Sequence, residues 1–268
     1  MSAEIIPRVI TALVAIPLLI LIIGWGWPWL FSLVVFLVTA AALGEYFFVA
    51  FPRRRKERLM GIFFGLLIPL GIFLPSVGDP GLWLGGILMV IFSIYLLLGG
   101  TLQERFQHLG WTLLGGFYIG YLVPHFVLLY RSSDGRAWLF FVLLVVMAGD
   151  TAAYFVGTWL GKRKLAPEIS PGKTVEGAVG SVGASVLAGV LGGRFLLPGL
   201  AWTETLLLSS ILSLLGQTGD LFESWIKRVF SVKDSAALLP GHGGLLDRMD
   251  SLIFPVVFAT YYLRLFRP

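Results

Sequence analysis

Nine long apolar runs dominate this sequence and determine the class of fold that it can adopt. They lie at roughly 9–25, 29–51, 59–76, 81–98, 110–130, 137–160, 175–197, 202–221 and 250–266. Each approaches the ~20 residues that a helix needs to cross the hydrocarbon core of a bilayer. The alternating pattern of a transmembrane β-barrel is absent, so the backbone must satisfy its hydrogen bonds as helix. We therefore predict an all-α fold: a polytopic bundle of about nine transmembrane helices.

The composition agrees with this class and limits the chemistry. Hydrophobic residues make up 57% of the 268 residues and charged residues 13%, which is far more apolar than a globular average. The absence of cysteine excludes disulfides, thiolate metal sites and a cysteine nucleophile. We predict an N-terminal region of about four spans, 1–100, and a C-terminal catalytic region, 101–268, with cytoplasmic loops at 161–174 and 222–249.

The distribution of basic residues predicts the orientation in the membrane. If nine spans alternate in direction, fifteen of the 20 Lys and Arg residues fall on one side. The positive-inside rule places that side, and the N-terminus, in the cytoplasm. We expect a multi-pass protein of a bacterial-type inner (plasma) membrane whose basic face attracts anionic lipid headgroups. Because no soluble domain remains to present a basic surface, we expect no nucleic-acid partner.

Polar residues inside the apolar runs are the first functional candidates. Asp150 lies within the sixth run, at a depth where a charge is costly, and must face the bundle interior, a cavity or a cation. A purely structural carboxylate is the alternative, and Glu45 in the second run raises the same question more weakly. Ser185, Gly189 and Gly193 recur every four positions, which favours close helix packing. Ordinary packing within the chain is the preferred interpretation, and a homodimer is left open.

The segment "ISPGKTVEGAVG", 169–180, has features of a phosphate-binding loop. We expect a turn over the three residues that start at Ser170, after which Thr174 caps the next helix. Gly177 occupies the third helical position, so no capping box closes. Lys173 beside a helix N-terminus suits a phosphate group, although the glycines of a Gly-x-x-x-x-Gly-Lys loop are missing. A plain loop with a cap explains the segment nearly as well.

A second charged segment runs from "GQTGDLFES" to "DRMD". Its polar residues share faces at two places: Asp220, Glu223, Ser224 and Lys227 on a helix over 216–230, and Asp247, Asp250 and Ser251 where the last helix begins. The glycines of "PGHGG" between them permit close backbone approach to an oxyanion. Carboxylates without His or Cys clusters favour Mg²⁺, which takes further ligands from water and substrate phosphates. This pattern indicates phosphoryl or nucleotidyl transfer; the alternative is that the charges balance one another in a solvated loop.

At these residues the sequence resembles the phosphatidate cytidylyltransferases, the CDP-diacylglycerol synthases of lipid synthesis. "SWIKRVFSVKDSAALLPGHGGLLDRMD", 224–250, is similar to the family signature, and "GDTAAYFVG", "SPGKTVEG" and "GDLFES" also resemble conserved stretches. The resemblance covers the C-terminal half, while the first hundred residues match only as apolar spans. Gly172 and Val175 stand where many members have a basic and an aromatic residue.

The resemblance implies a nucleotidyltransferase that forms CDP-diacylglycerol and pyrophosphate from CTP and phosphatidic acid with Mg²⁺; a second, monovalent cation is left open. The metal ligands are expected to be Asp220 and Asp247, then Asp250 and Asp150. The catalytic residues are expected to be Asp220, Asp247, Lys227, Arg248 and His242. The substrate-binding residues are expected to be Ser170, Lys173, Thr174, Ser224, Lys233, Gly243 and Gly244. Because a phosphate nucleophile is already ionised, His242 is assigned as a phosphate donor or loop organiser rather than a base.

Two other functions compete with this interpretation. Another membrane lipid phosphotransferase, such as a CDP-alcohol phosphotransferase, would carry an Asp-Gly-x-x-Ala-Arg pattern that is not found here. An ion-coupled transporter could use Asp150 and Asp220 as cation sites, but it predicts broken helices in paired repeats. No internal repeat is evident in the sequence.

Overall fold

Helices make up almost all of the described chain, as the sequence predicts. The structure, a computed structural model, describes residues 17–74, 79–232 and 244–267. Within those ranges six helical segments are long and apolar enough to cross a membrane: Pro28–Ala50, Pro80–Leu97, Leu102–Tyr130, Gly135–Leu160, Val175–Leu196 and Trp202–Val229. Of the other three predicted spans, 59–76 and 250–266 overlap the helices Arg55–Phe73 and Asp250–Phe266, which are more charged or shorter, and 9–25 is described only from residue 17. The all-α class is confirmed, and the count of nine crossings stays a prediction.

The chain divides into two compact units, which are described separately. The first comprises residues 1–128 with 234–246, and the second comprises residues 129–233 with 247–268. These limits are set by packing and differ from the predicted regions 1–100 and 101–268. The extent of the catalytic region stays a prediction.

The first unit is built from helices joined by short connections. Residues 17–25 form α1, and they are followed by α2 Pro28–Ala50, α3 Arg55–Phe73, α4 Pro80–Leu97, α5 Leu102–Gly115, a π-helical turn Gly116–Tyr121 and α6 His125–Tyr130, which runs past the end of the unit. The helix starts follow local sequence signals. Asp79 caps α4 by accepting the backbone N–H groups of Gly81 and Leu82, and Thr101 with Glu104 forms a capping box at α5.

Apolar side chains between α3 and α4 form one hydrophobic cluster of this unit. Phe64 and Ile68 of α3 pack with a group on α4 that consists of Ile87, Ile91 and Tyr95. The Tyr95 hydroxyl is 2.6 Å from the Thr112 hydroxyl, so the polar end of this buried ring is satisfied. The unit is therefore held by van der Waals packing of apolar side chains, supplemented by polar contacts between helices.

Glu45 has a structural role within the first unit. Its side chain is 1% exposed. Its carboxylate accepts the backbone N–H of Leu245 at 2.7 Å and that of Leu246 at 3.0 Å. A buried carboxylate requires such donors because it loses hydration. Glu45 thus ties α2 to a segment 200 residues further along the chain.

The second unit contains α7 Gly135–Leu160, β1 Lys164–Ala166, β2 Ser170–Thr174, α8 Val175–Leu196, α9 Trp202–Val229, a 3₁₀ turn Leu246–Arg248 that starts one residue before the unit resumes, and α10 Asp250–Phe266.

The predicted loop 161–174 is an antiparallel hairpin in which Lys164 pairs with Thr174 and Ala166 with Ser170. The predicted turn at Ser170 is wrong: the chain turns at 167–169, because strand pairing extends through Ser170. The predicted loop 222–249 is also wrong at its start, since α9 continues to Val229.

Small residues let α8 pack closely within this unit. The Ser185 hydroxyl donates to the Val145 carbonyl of α7 at 2.8 Å. A Cβ added at Gly189 would collide with the Ser209 hydroxyl of α9, and one added at Gly193 would lie 3.1 Å from the Phe141 ring. The four-residue spacing therefore serves packing between helices of one chain, as preferred from the sequence.

The buried carboxylate of Glu45 yields a stability prediction. Replacing Glu45 by Ala leaves two N–H groups, one buried and one part-buried, without this acceptor, and we expect the free energy of unfolding to fall by about 3 kcal/mol. Unfolding of the detergent-solubilised protein measures this change. The control Arg54→Gln removes exposed ion pairs with Glu57 and Glu104 and should alter stability by less than about 1 kcal/mol. Equal stability of the two variants would contradict the role of Glu45.

Candidate active site

One cavity of about 740 Å³ in the second unit collects most of the predicted site residues. The predicted residues that line it are Asp150, Ser170, Lys173, Thr174, Asp220, Lys227, Asp247, Arg248 and Asp250. Among these described residues, four carboxylates face three basic side chains. The sequence placed these groups in three separate segments, and the fold brings them together.

The cavity depends on close approach between α9 and the start of α10. A Cβ added at Gly219 would collide with the carbonyl oxygen of Asp250. Glycine at this position lets the two backbones meet, so that Asp220 of α9 and Asp250 of α10 line the same cavity. Lys227 follows Asp220 by two helical turns and therefore lies on the same face of α9.

Lys173 of β2 forms an ion pair across the cavity. Its Nζ is 2.6 Å from Oδ2 of Asp220, and both side chains retain partial exposure. An ammonium group has three donors, so the pair with Asp220 leaves capacity for other oxygen ligands. The hairpin strand and α9 thus hold a cation and a carboxylate in contact at the cavity wall.

The ammonium group of Lys227 offsets the negative charges of two carboxylates. Its Nζ is 2.5 Å from Oε2 of Glu223 and 3.2 Å from Oδ1 of Asp247. Glu223 is fully buried, so this ammonium group provides the charge compensation that burial demands. Glu223 was grouped with this face in the sequence but given no role. The signal was its position four residues before Lys227, the spacing of a helical ion pair.

Two further carboxylates lie close to this network. Asp250 is buried, and its Oδ1 accepts the backbone N–H of Ser251 at 2.7 Å. Asp150 of α7 lines the same cavity as Ser251, Asp220 and Lys173. The position of Asp150 at a cavity is one of the three alternatives that the sequence left open.

Some site predictions fall elsewhere, and several residues that line the cavity, Gln217 among them, were not predicted as site residues. Ser224 and Gly244 are described but are not among the residues that line the cavity. Lys233, His242 and Gly243 lie outside the described residues. Gln217 lines the cavity and donates to the Ala178 carbonyl at 3.3 Å. Gln217 lies three residues before Asp220 and therefore on the same face of α9, and this spacing would have identified it from the sequence.

The carboxylates of the cavity are the ligands that a metal ion would use. Within the described ranges, no three His, Asp or Glu side chains are gathered closely enough to hold a metal ion by themselves. The four cavity carboxylates offer hard oxygen donors, and Mg²⁺ commonly takes only one or two of these from the protein. The residues fit that cation when substrate oxygens complete its coordination, and the metal assignment stays a prediction.

Comparison with known proteins identifies the family of this chain. The chain matches the cytidylyltransferase family over residues 6–266. It is 38% identical to the phosphatidate cytidylyltransferase of Bacillus subtilis, with 97% of each chain covered. It is 32% identical to the phosphatidate cytidylyltransferase of Synechocystis sp., again with 97% of each chain covered. The protein of the same name from Brucella suis is 44% identical over 54% of this chain and 53% of that protein. The chain therefore belongs to the cytidylyltransferase family.

The shared ammonium group of Lys227 yields a second prediction. Lys227→Met keeps the length of the side chain but leaves the buried Glu223 without its cation, so we expect a loss of about 3 kcal/mol in unfolding free energy. The double variant Lys227→Met/Glu223→Gln removes the uncompensated charge and should recover most of the loss. Unfolding of both proteins in the same detergent tests this coupling. If the unfolding free energy lost in the double variant were the sum of the losses from the two single changes, this coupling would be contradicted.

Proposed function

We propose that this protein transfers the cytidylyl group of CTP to phosphatidic acid, which yields CDP-diacylglycerol and pyrophosphate. The observation that carries the proposal is the single cavity in which Asp150, Asp220, Asp247 and Asp250 meet Lys173, Lys227 and Arg248. Membership of the cytidylyltransferase family and the names of the compared relatives support the choice of nucleotide and lipid.

The charges of the cavity suit two anionic reactants. CTP and phosphatidate repel each other, so their reaction requires positive charge on both sides of the transferred group. Lys173 on β2 and Arg248 in the 3₁₀ turn reach the cavity from different elements and can contact different phosphates. Lys227, which is engaged by Glu223 and Asp247, serves mainly to orient Asp247.

The reaction is an in-line displacement at phosphorus. An oxygen of the phosphatidate phosphate forms a bond to the α-phosphorus of CTP, and the bond from that phosphorus to the oxygen bridging the α- and β-phosphates breaks. Pyrophosphate leaves with the bonding electron pair. The attacking phosphate oxygen is already ionised, so no side chain needs to remove a proton. Catalysis then rests on holding the two phosphates in line and stabilising the charge.

Mg²⁺ is the cofactor that these residues would hold. Asp220 and Asp247 are the first candidate ligands, with Asp250 and Asp150 next. When bound, the ion would supply charge neutralisation at the phosphates of CTP. The carboxylates of this chain would hold and orient it, and Lys173 and Arg248 would bind those phosphate oxygens that the ion leaves uncovered.

The lipid substrate would reach the cavity from the side. Tyr154 of α7 lines the cavity and is 69% exposed, and Leu165 of β1 lines it as well. These apolar groups allow acyl chains to remain in hydrocarbon while the phosphate enters the charged interior. The positive-inside rule supports a site at the cytoplasmic face of a bacterial-type inner membrane, where CTP is present. Formation of a homodimer stays a prediction.

Removal of a proposed metal ligand should abolish the reaction. We expect Asp247→Asn and Asp220→Asn to lower the incorporation of radiolabelled CTP into lipid by at least about a hundredfold, because a carboxamide neutralises no cation. The control Glu168→Gln removes an exposed acid from the hairpin turn and should retain wild-type activity. Near-normal activity of purified Asp247→Asn would exclude its role as a ligand.

The same assay separates the competing functions. With Mg²⁺, the wild-type protein should convert phosphatidic acid and labelled CTP into labelled lipid, and EDTA should stop the conversion. An ion-coupled transporter would incorporate no label under either condition. A phosphotransferase of the CDP-alcohol class would consume labelled CDP-diacylglycerol when given an alcohol acceptor, and would not form it from CTP.

Lys173 should act mainly on nucleotide binding. We expect Lys173→Ala to raise KM for CTP by about tenfold while kcat changes less, since the lysine contacts phosphates that are present before the transfer. Steady-state kinetics at saturating phosphatidate measure both constants. An unchanged KM with a lowered kcat would instead assign Lys173 to the transition state.

A further inference from the structure

We propose that Glu176 is a positioning residue, which fixes the β1–β2 hairpin so that Lys173 is held at the cavity. The inference rests on the proposed function, because it assigns to Lys173 the phosphate contact argued above. Glu176 itself does not line the cavity, and neither the sequence pattern nor the family resemblance assigned it a role.

Glu176 closes the base of the hairpin. It lies in the first turn of α8, and its Oε2 accepts the backbone N–H of Lys162 at 3.0 Å and that of Arg163 at 3.2 Å. Oε1 also accepts the Arg163 N–H, at 3.3 Å. One carboxylate therefore binds two successive N–H groups just before β1, while its own residue lies just after β2.

The backbone completes this closure. The Val175 N–H donates to the Arg163 carbonyl at 2.9 Å, and the Thr174 hydroxyl accepts the Gly177 N–H at 3.1 Å as the cap of α8. A Cβ added at Gly161 would lie 2.7 Å from Cγ2 of Thr174, so the chain leaving α7 passes close against the end of β2. The ends of both strands are thus joined to the start of α8.

The turn of the hairpin has its own attachment. Nε of Arg228, near the end of α9, donates to the Ile169 carbonyl at 3.1 Å. The hairpin is consequently bound at its base by Glu176 and at its turn by Arg228. This contact gives part of the Arg228 guanidinium group a structural partner.

These attachments matter because the hairpin is too short to hold its own shape. An isolated two-stranded sheet is marginal in water, and β1 has only 3 residues. Lys173 lies on β2 between the two attachments, and its Nζ must remain within reach of Asp220. Loss of the Glu176 carboxylate frees the Lys162 and Arg163 N–H groups and lets the strand that carries Lys173 move. Movement of a substrate-binding group lowers catalytic efficiency, because the reacting groups are no longer held in line.

The test compares Glu176→Ala with Glu168→Ala in the full-length protein. Both variants remove one acid close to the hairpin, and Glu168 lies exposed in its turn at 167–169. We expect Glu176→Ala to raise KM for CTP on the order of tenfold, with a smaller change in kcat. Glu168→Ala should match the wild type. Glu176→Gln keeps one acceptor oxygen and should give an intermediate KM.

A second measurement does not depend on catalysis. Hydrogen exchange at the Lys162 and Arg163 amides should become faster in Glu176→Ala and stay unchanged in Glu168→Ala. Equal kinetics for the two alanine variants, or a lowered stability with an unchanged KM, would overturn the positioning role. If the wild-type protein incorporated no label from CTP into lipid, the proposed function would fail. Unchanged hydrogen exchange at the Lys162 and Arg163 amides in Glu176→Ala would show separately that Glu176 does not hold the hairpin.

Discussion

The sharing of one ammonium group by two carboxylates is the interaction on which the charged cavity depends. Lys227 contacts both Glu223, which is fully buried, and Asp247, which is exposed to the cavity. A lone carboxylate among packed helices would carry a desolvation cost of several kcal/mol, and an adjacent cation offsets most of it. Because the cation belongs to the same helix as Glu223, the compensation survives movement of the surrounding loops. Asp247 then faces the cavity from a defined position.

The remaining charges follow from the same constraint. Asp220 is paired with Lys173 of the hairpin, and Asp250 is stabilised by the Ser251 backbone N–H. The cavity holds four acids against three bases, so it retains acid for a cation and base for phosphates. The proposed metal-dependent transfer between two anionic reactants would require that balance. It agrees with the cytidylyltransferase family to which the chain belongs.

Sequence reasoning succeeded where the signal was local. The apolar runs predicted every long helix of the described chain, and the Thr174 cap was predicted from residue type and spacing. It failed at the hairpin, where a Ser-Pro-Gly sequence that usually turns instead continues a strand. Pro171 tolerates this because the hairpin has only two strands, and an edge strand does not need every N–H. Pairing with β1, together with the attachment through Glu176, decides the conformation there.

The sequence by itself determined the helical membrane class, the grouping of acids, bases and glycines in three segments, and the family that those segments resemble. Hydrophobic length and helical spacing are local properties, which is why they can be read from the chain. Only the tertiary structure decided which distant groups meet: Lys227 with Asp247, Lys173 with Asp220, and Glu176 with the amides before β1. Lys227 and Asp247 lie 20 positions apart in the sequence, and Lys173 and Asp220 lie about 50 apart. The strength of such pairs depends on distance and burial. Neither quantity exists until the helices have packed.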